Sequence, residues 1–327
     1  MTAQNENRTM YYGKGDVFVY RTFVQPLTGL RKIPESSFTE RDNTIFGFNC
    51  QISLKGEAFL SSFTEGDNSL VVATDSMKNI IHRQAANYQG NTAEGFLKFI
   101  CEVFLDKYSH IDAVELTATE VPFDHVLVPK GEGHENSDVV YRCSRNERAT
   151  TTIEVKRTPT GSKIVKHSSG IVDVHLIKVK GSSFYGFIQD EYTTLPEAQD
   201  RPLFIYLDFD WEYSRWEDGT GADPEKYVAA EQICDIANTV FHELNNRSIQ
   251  QLIYHIGIRI LERFPQLANV QFKTNNRTWE TVVETISNSE GSVYQEPRPP
   301  FGFQGFVVTQ EDVKQKKAAD STVGASR

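Results

Sequence analysis

The sequence predicts an α+β fold built as two tandem halves, each in the order ββααββ. Three observations carry that expectation. Several short stretches alternate apolar with polar residues, the mark of a strand with one buried face. Pairs of stretches with helical spacing, opened by capping residues, interrupt those strands. The same order of elements then begins again near Lys163, although no residue-level repeat links the two halves. The halves are placed at residues 9–158 and 159–310, with polar tails at 1–8 and 311–327 expected to be mobile.

In the first half, GDVFVYRTFV (Gly15 to Val24) is rich in aromatic and β-branched residues, and Phe46, Phe48, Cys50, Ile52 and Leu54 alternate with polar neighbours. Both read as strands. The run VVATDSMKN (Val71 to Asn79) ends an apolar stretch in Thr74 and Asp75, two residue types that cap helices. Phe96, Ile100, Val103 and Phe104 mark a second helix. Val114, Leu116 and Ala118 make a third strand, and a polar loop around Lys130 to Ser137 separates it from a fourth that ends near Arg157.

In the second half a long strand covers Ile171 to Lys180, and Leu203, Ile205, Leu207, Phe209 and Trp211 face away from Asp208, Asp210 and Glu212 on the next. Asp223-Pro224, a cap followed by proline at the first helical position, predicts a helix from there to about His242. Ser248 to Gln251 is a capping box, S-x-x-Q, so a second helix starts there and ends near Phe264. Strands around Val270 and from Phe303 to Val308 follow, with residues 281–300 as an extended insertion between them.

Length, charge and cysteine usage bound the function. A chain of 327 residues with 39% hydrophobic and 24% charged residues has ample core for a soluble globular protein. A net charge of −10 argues against a nucleic-acid backbone as partner, since neutralising phosphates needs a basic surface. No run approaches membrane-spanning length, and the polar N-terminus lacks an apolar signal region. Cys50, Cys101, Cys143 and Cys234 form no CxxC and signal neither a zinc site nor a disulfide framework. A cytoplasmic protein with no membrane partner is expected, and the sequons at Asn246 and Asn276 then read as chance matches.

The stretch GSSFYGFIQDEYTTLPEAQDR (Gly181 to Arg201) places Phe184, Tyr185 and Phe187 beside an arginine in one excursion between strands. An aromatic face stacks a flat heterocycle and a guanidinium grips its edge with two bonds, so the pair suits a planar, anionic, nitrogen-rich ligand such as a purine or pterin. The same residues also make an ordinary packed aromatic corner with a surface arginine. Helix starts at Thr74-Asp75 and at Ser248-Ile249-Gln250 offer unpaired N–H groups to negative charge, and Gln250 adds an amide that both donates and accepts. Such starts are equally ordinary caps, and Lys14, between Gly13 and Gly15, is equally a solvated lysine.

Motifs for other chemistry are missing. His242-Glu243 does not continue into HExxH, no histidine sits at ligand spacing beside a cysteine or carboxylate, and GxSxG, Walker A and GxGxxG do not occur. Asp208, Asp210 and Glu212 share a strand face that suits a cation or, more simply, solvent. No metal and no cofactor is expected, so redox chemistry would have to come from the substrate.

Taken together, YYGKGDVFVYR, VVATDSMKN, SFYGFIQDEYTT with Arg201 beyond it, and RSIQ followed by Asn276 in KTNNRT resemble the urate oxidases, cofactor-free uricases of the tunnelling fold, in their bacterial form. The resemblance runs in order over most of the chain. It implies an antiparallel sheet with helices on one face in each half, and closure of the sheets into a barrel by oligomerisation. It implies oxidation of urate by O2 and water to 5-hydroxyisourate and hydrogen peroxide. The site would lie between subunits of a homotetramer, with lysine and threonine from one chain and the clamp from its neighbour.

Residue by residue, Phe184 matches the family's stacking phenylalanine, and Arg201 with Gln250 matches the tweezers on the two ends of urate. Ile249 stands where the family has a valine that gives its backbone N–H, and Asp75 offers another backbone donor. Lys14 and Thr74 match the catalytic dyad, Thr74 also touching substrate, and Asn276 matches the residue that seats dioxygen or water above the ring. The sequence departs from the pattern at Thr278, where many members carry a histidine that relays with the lysine. Two other classes stay open: a tunnelling-fold enzyme acting on pterins or other purines, and a non-catalytic purine-binding protein, which would keep the clamp without needing Lys14 or Thr74.

Overall fold

The structure, a computed structural model, describes residues 8–277, 280–295 and 299–324. The chain forms two compact units. One takes residues up to 31 together with 39–169 and 215–227, and the other takes 32–38, 170–214 and the residues from 228 onward.

In the first unit, β1 (Tyr11–Thr22) and β2 (Ile45–Lys55) pair antiparallel, β3 (Ala113–Glu120) pairs with β2, and β6 (Arg148–Thr158) pairs with β3. The alternation read from the sequence is the burial pattern: Cys50, Ile52 and Leu54 are fully buried while Gln51 is exposed. Against that face lie α2 (Thr74–Ala85) and α3 (Ala93–Lys107), preceded by the short α1 (Leu60–Thr64). Phe96, Ile100 and Phe104 of α3 and Met77 and Ile81 of α2 fill the core. Thr92 caps α3 by accepting from the Gly95 N–H, so one of the orphan donors of that helix is satisfied. The region read as a polar loop is the turn of a hairpin, β4 (Asp124–Lys130) with β5 (Gly133–Arg142). Its Leu127, Val139 and Val140 are exposed, and a strand pair with no buried face carries no apolar alternation to read.

In the second unit, the closing part of β7 (Gly161–Lys178) starts a row continued by β8 (Leu203–Tyr213), β9 (Leu267–Arg277) and β12 (Gly302–Thr309). Leu203, Ile205, Leu207, Phe209 and Trp211 are buried, as their spacing requires. Helices α4 (Ala230–Glu243) and α5 (Ile249–Arg263) supply the facing layer, through Ile233, Ile236 and Val240 and through Leu252, Ile256 and Ile260. Gly257 lets α5 lie close on the sheet: a Cβ there would fall 2.4 Å from Val308 Cγ2. The Glu35 side chain, 3% exposed, is held by Arg259 at 3.1 Å and Arg263 at 2.8 Å, both on α5.

Three expectations for this half change. The predicted helix from Asp223 to about His242 begins only at Ala230. Asp223 and Pro224 form a turn, because Tyr227, Val228 and Ala229 are buried, Ala229 is extended, and the Val228 N–H is taken by the Tyr213 hydroxyl. Residues 281–300 contain a hairpin, β10 (Glu280–Val283) with β11 (Val293–Gln295). The tail beyond 310 is helical as α6 (Gln310–Gly324), with Val313 buried and Gln310 donating to the Leu267 carbonyl. Its start is a capping pair: Asp312 accepts from both the N–H and the hydroxyl of Thr309 at 2.8 Å. Among the described residues no group of His, Cys, Asp or Glu is arranged to hold a metal, and no helix is long and apolar enough to cross a membrane.

Candidate active site

The candidate residues form two groups, one in each unit. In the first unit Lys14 lies on β1 opposite Ile52, just before a bulge at which Asp16 adopts a φ of 52°. Gly13 must be glycine, since a Cβ would meet the Ile52 carbonyl oxygen at 1.8 Å. Tyr12, on the same side of β1 as Lys14, accepts the Val72 N–H at 2.7 Å and donates to the Val72 carbonyl at 3.2 Å. Burial pushes this phenol's pKa up, and Phe59 packs edge-on against its ring. The Tyr12 hydroxyl thereby fixes the segment that leads into α2, where Thr74 and Asp75 sit.

Thr74 was expected as a cap, and the structure corrects this. Ala73 is the N-cap, without a side-chain bond, and Thr74 and Asp75 are the first two helical residues. The correction matters, because a capping hydroxyl would be occupied. Among the described residues neither the Thr74 hydroxyl nor the Lys14 ammonium has a hydrogen-bond partner. The Asp75 carboxylate turns back to Lys78 at 2.8 Å and Asn79 at 2.8 Å. Lys78, with a smaller contribution from Lys14, holds its pKa below the usual carboxylate value. What remains at this end of α2 is a free ammonium, a free hydroxyl and first-turn N–H groups.

In the second unit the excursion after β7 folds back on itself. Phe184 and Ala198 exchange backbone bonds at 2.8 and 2.9 Å, and the Arg201 N–H reaches the Ser182 carbonyl at 2.8 Å. Buried Asn246 ties the base of this loop to the start of α5: its carbonyl accepts the Ser183 N–H at 3.0 Å, and its side chain accepts from the Ser182 hydroxyl at 3.1 Å. Phe184, Arg201, Ile249 and Gln250 are therefore drawn together. Phe187 lies parallel to Phe184 with centroids 4.8 Å apart, and the Arg201 guanidinium carbon is 5.3 Å from the Phe184 ring centre.

Arg201 is the unusual member. It is half-buried, burial pushes its pKa below the ordinary arginine value, and its buried Nε has no hydrogen-bond partner. An unmet buried donor costs about 1–3 kcal/mol. At the α5 start Ser248 accepts from the Gln251 N–H at 3.1 Å, and Gln251 Oε1 accepts from the Arg247 N–H at 2.9 Å. That leaves the Ile249 and Gln250 N–H groups, which no intrahelical bond uses. Ile249 is buried, and the Gln250 side chain is exposed.

Strand β9 follows α5, and Asn276 stands near the end of that strand. Asn276 pairs with Ile205 on β8 and Gly302 on β12. Its Oδ1 accepts from Gln304 Nε2 at 3.1 Å, and Gln304 Oε1 accepts from the Thr274 hydroxyl at 3.0 Å. Thr278 lies outside the described residues. The acidic face of β8 holds no cluster: Asp208 accepts from the Asp173 N–H and Glu212 from Asn269, while burial raises the pKa of Asp210.

Sequence reading missed Tyr12, Asn246, Thr274 and Gln304. Gln304 sits in the last strand, which the sequence did show, at a register that faces Thr274 and that only the structure reveals.

An antiparallel sheet with two helices on one face, found in each unit, defines a tunnelling-fold protein. The uricase family model matches residues 10–153 and 167–304. The chain is 54% identical to the uric acid degradation bifunctional protein PucL of Bacillus subtilis over 95% of its own length and 63% of that protein's. It is 51% identical to the uricase of Haloferax volcanii over 94% of this chain and all of that one. The crystal structure of a uricase from Bacillus fastidious superposes with a TM-score of 0.93 at 62% identity, covering 95% of this chain and 97% of that one. The chain belongs to the uricase family. It spans under two thirds of the two bifunctional relatives, 63% and 62% of their lengths.

Proposed function

We propose that the protein oxidises urate with O2 and water to 5-hydroxyisourate and hydrogen peroxide, without a cofactor. The observation that carries this reading is Arg201, a half-buried guanidinium with an unmet buried donor beside an aromatic ring. Family membership and the free Lys14 and Thr74 side chains favour catalysis over simple binding.

Phe184 stacks the purine, Arg201 and Gln250 grip its two ends, and the N–H groups of Ile249 and Asp75 meet its carbonyl oxygens. Lys14 takes a proton through the Thr74 hydroxyl, and the resulting urate dianion gives two electrons to O2. Asn276 seats O2, and afterwards the water whose oxygen bonds to the oxidised ring. Two protons complete the peroxide. The protein's contribution is deprotonation, positioning and stabilisation of developing charge. Thr278 stands in the place of the family's relay histidine, and a threonine hydroxyl does not titrate near neutral pH, so the relay's third member is left open while the Lys14–Thr74 dyad stands.

Lys14 is exposed within its own chain. A lysine base needs a water-poor surrounding, so the clamp that faces it is assigned to a neighbouring subunit of a homotetramer whose sheets close into a barrel. The compartment is the cytoplasm, where four free cysteines are stable.

One assay tests the reading: metal-free protein is mixed with urate in air, and urate absorbance and peroxide are followed. Stoichiometric peroxide, unaffected by chelator, is expected. Tight urate binding without peroxide would make the protein a purine-binding module instead.

A further inference from the structure

We propose that Gln304 is a positioning residue that fixes which end of the Asn276 carboxamide faces dioxygen. The inference rests on the role given to Asn276 above. A carboxamide is nearly symmetric in shape and opposite in polarity at its two ends, so its orientation is set by whatever binds it from behind. Behind Asn276 stands Gln304. In the β9–β12 register Gln304 lies directly opposite Thr274 and diagonal to Asn276, within reach of a long side chain. Thr274, 5% exposed, donates its hydroxyl proton to Gln304 Oε1, and Gln304 Nε2 donates to Asn276 Oδ1. With Oδ1 occupied, Asn276 presents Nδ2, which has no partner among the described residues.

Gly302 completes the arrangement. It sits opposite Asn276, and a Cβ there would come within 3.0 Å of Asn276 Oδ1 and 3.5 Å of Gln304 Nε2. The missing side chain leaves room for the amide pair. The chemical consequence is one of sign. As O2 accepts electrons it gains negative charge, which an N–H stabilises and a carbonyl oxygen repels, so the chain Thr274 to Gln304 to Asn276 keeps the donor end forward.

The test is Gln304→Glu, which preserves shape but removes the donor, so that Asn276 must turn its NH2 back to the new carboxylate. Urate affinity measured without oxygen should stay within about twofold, while kcat/KM for O2 falls about tenfold or more, less than the 10²- to 10³-fold typical of deleting a stabilising donor outright. In an Asn276→Leu background the same substitution should have no further effect, because Gln304 acts only through Asn276. Thr274→Val should give a smaller loss of the same kind. Gln304→Met replaces the glutamate variant if that one fails to fold. A Gln304→Glu enzyme with parental O2 dependence, or one whose anaerobic urate affinity falls in step with turnover, overturns the proposal. So does an undiminished effect in the Asn276→Leu background. A parent that binds urate without making peroxide overturns the proposed function and this inference together.

Discussion

A half-buried guanidinium with an unpaired Nε is held at a cost that a flat anion would relieve, and the plane of its fork decides what it grips. Arg201→Lys keeps the charge and loses the fork, so urate affinity should fall severely while the fold persists; near-parental affinity in an anaerobic titration would remove Arg201 from the clamp. Glu94 poses the opposite problem, a buried carboxyl that the Ser169 hydroxyl at Oε1, the Arg41 charge and the Tyr227 side chain only partly compensate. Burial raises its pKa. The sign follows: a carboxyl with a raised folded pKa contributes its stability below the unfolded value of about 4.3 and loses it as pH climbs through the folded value. Glu94→Gln keeps the Ser169 bond and removes the charge. The variant should match the parent near pH 4 and become progressively more resistant to urea as pH rises, by about 1.4 kcal/mol per protomer for each unit the folded pKa is raised. A gap between the two midpoints that does not widen with pH would show that Glu94 is paired by other means.

Elements rather than single residues bring the proposed clamp together, and α5 is the central one. Ser248 caps it, Asn246 just before it anchors the Phe184 loop, and β9, which follows it, carries Asn276. Ser248→Ala removes the cap and should lower stability by about 1 kcal/mol. It should also weaken urate binding, since the Ile249 and Gln250 donors lie in the turn the cap orders; loss of stability with no change in affinity would separate the helix start from the site. The capping box was legible because its bonds join neighbours in sequence. So was the alternation of β8, whose whole face is buried. The hairpin of β4 and β5 was not, because none of its apolar residues is buried, and the Asp223 helix was misread because burial of Val228 and Ala229 overrides a local proline signal. The start of α6 was legible and overlooked: Thr309 and Asp312 stand at capping-box spacing. Of the site, Phe184 and Arg201 could be read as a stacking face and a fork, while Lys14, Thr74 and Asn276 gained roles only from the family pattern. Tyr12 acts on other residues through space, and no local pattern marks such a part; Gln304 lies in a strand the sequence did show, but its partners Thr274 and Asn276 come from the register of another strand.

At the scale of the whole molecule the two candidate groups lie in different units, Lys14 and Thr74 in the first and Phe184, Arg201, Gln250 and Asn276 in the second. Sharing the site between subunits makes a prediction that a site within one chain does not. Lys14→Met removes the proposed proton acceptor and should slow turnover about 10²- to 10⁴-fold while leaving anaerobic urate binding intact. Arg201→Lys removes the grip. If each site takes its dyad from one protomer and its clamp from another, a mixed oligomer of the two variants contains some sites with both lesions and some with neither. Refolding or co-expressing the two inactive variants should then restore activity, up to about a quarter of the parent's when protomers mix at random, since half the dyads and half the clamps are intact and their pairing is independent. Mixing the separately assembled oligomers without exchange should restore none. If every site is built within one chain, each protomer carries one lesion whatever its neighbour, and no mixture exceeds its components. Activity that reappears only when protomers exchange therefore supports the shared site, and a mixed preparation as inactive as either variant overturns it.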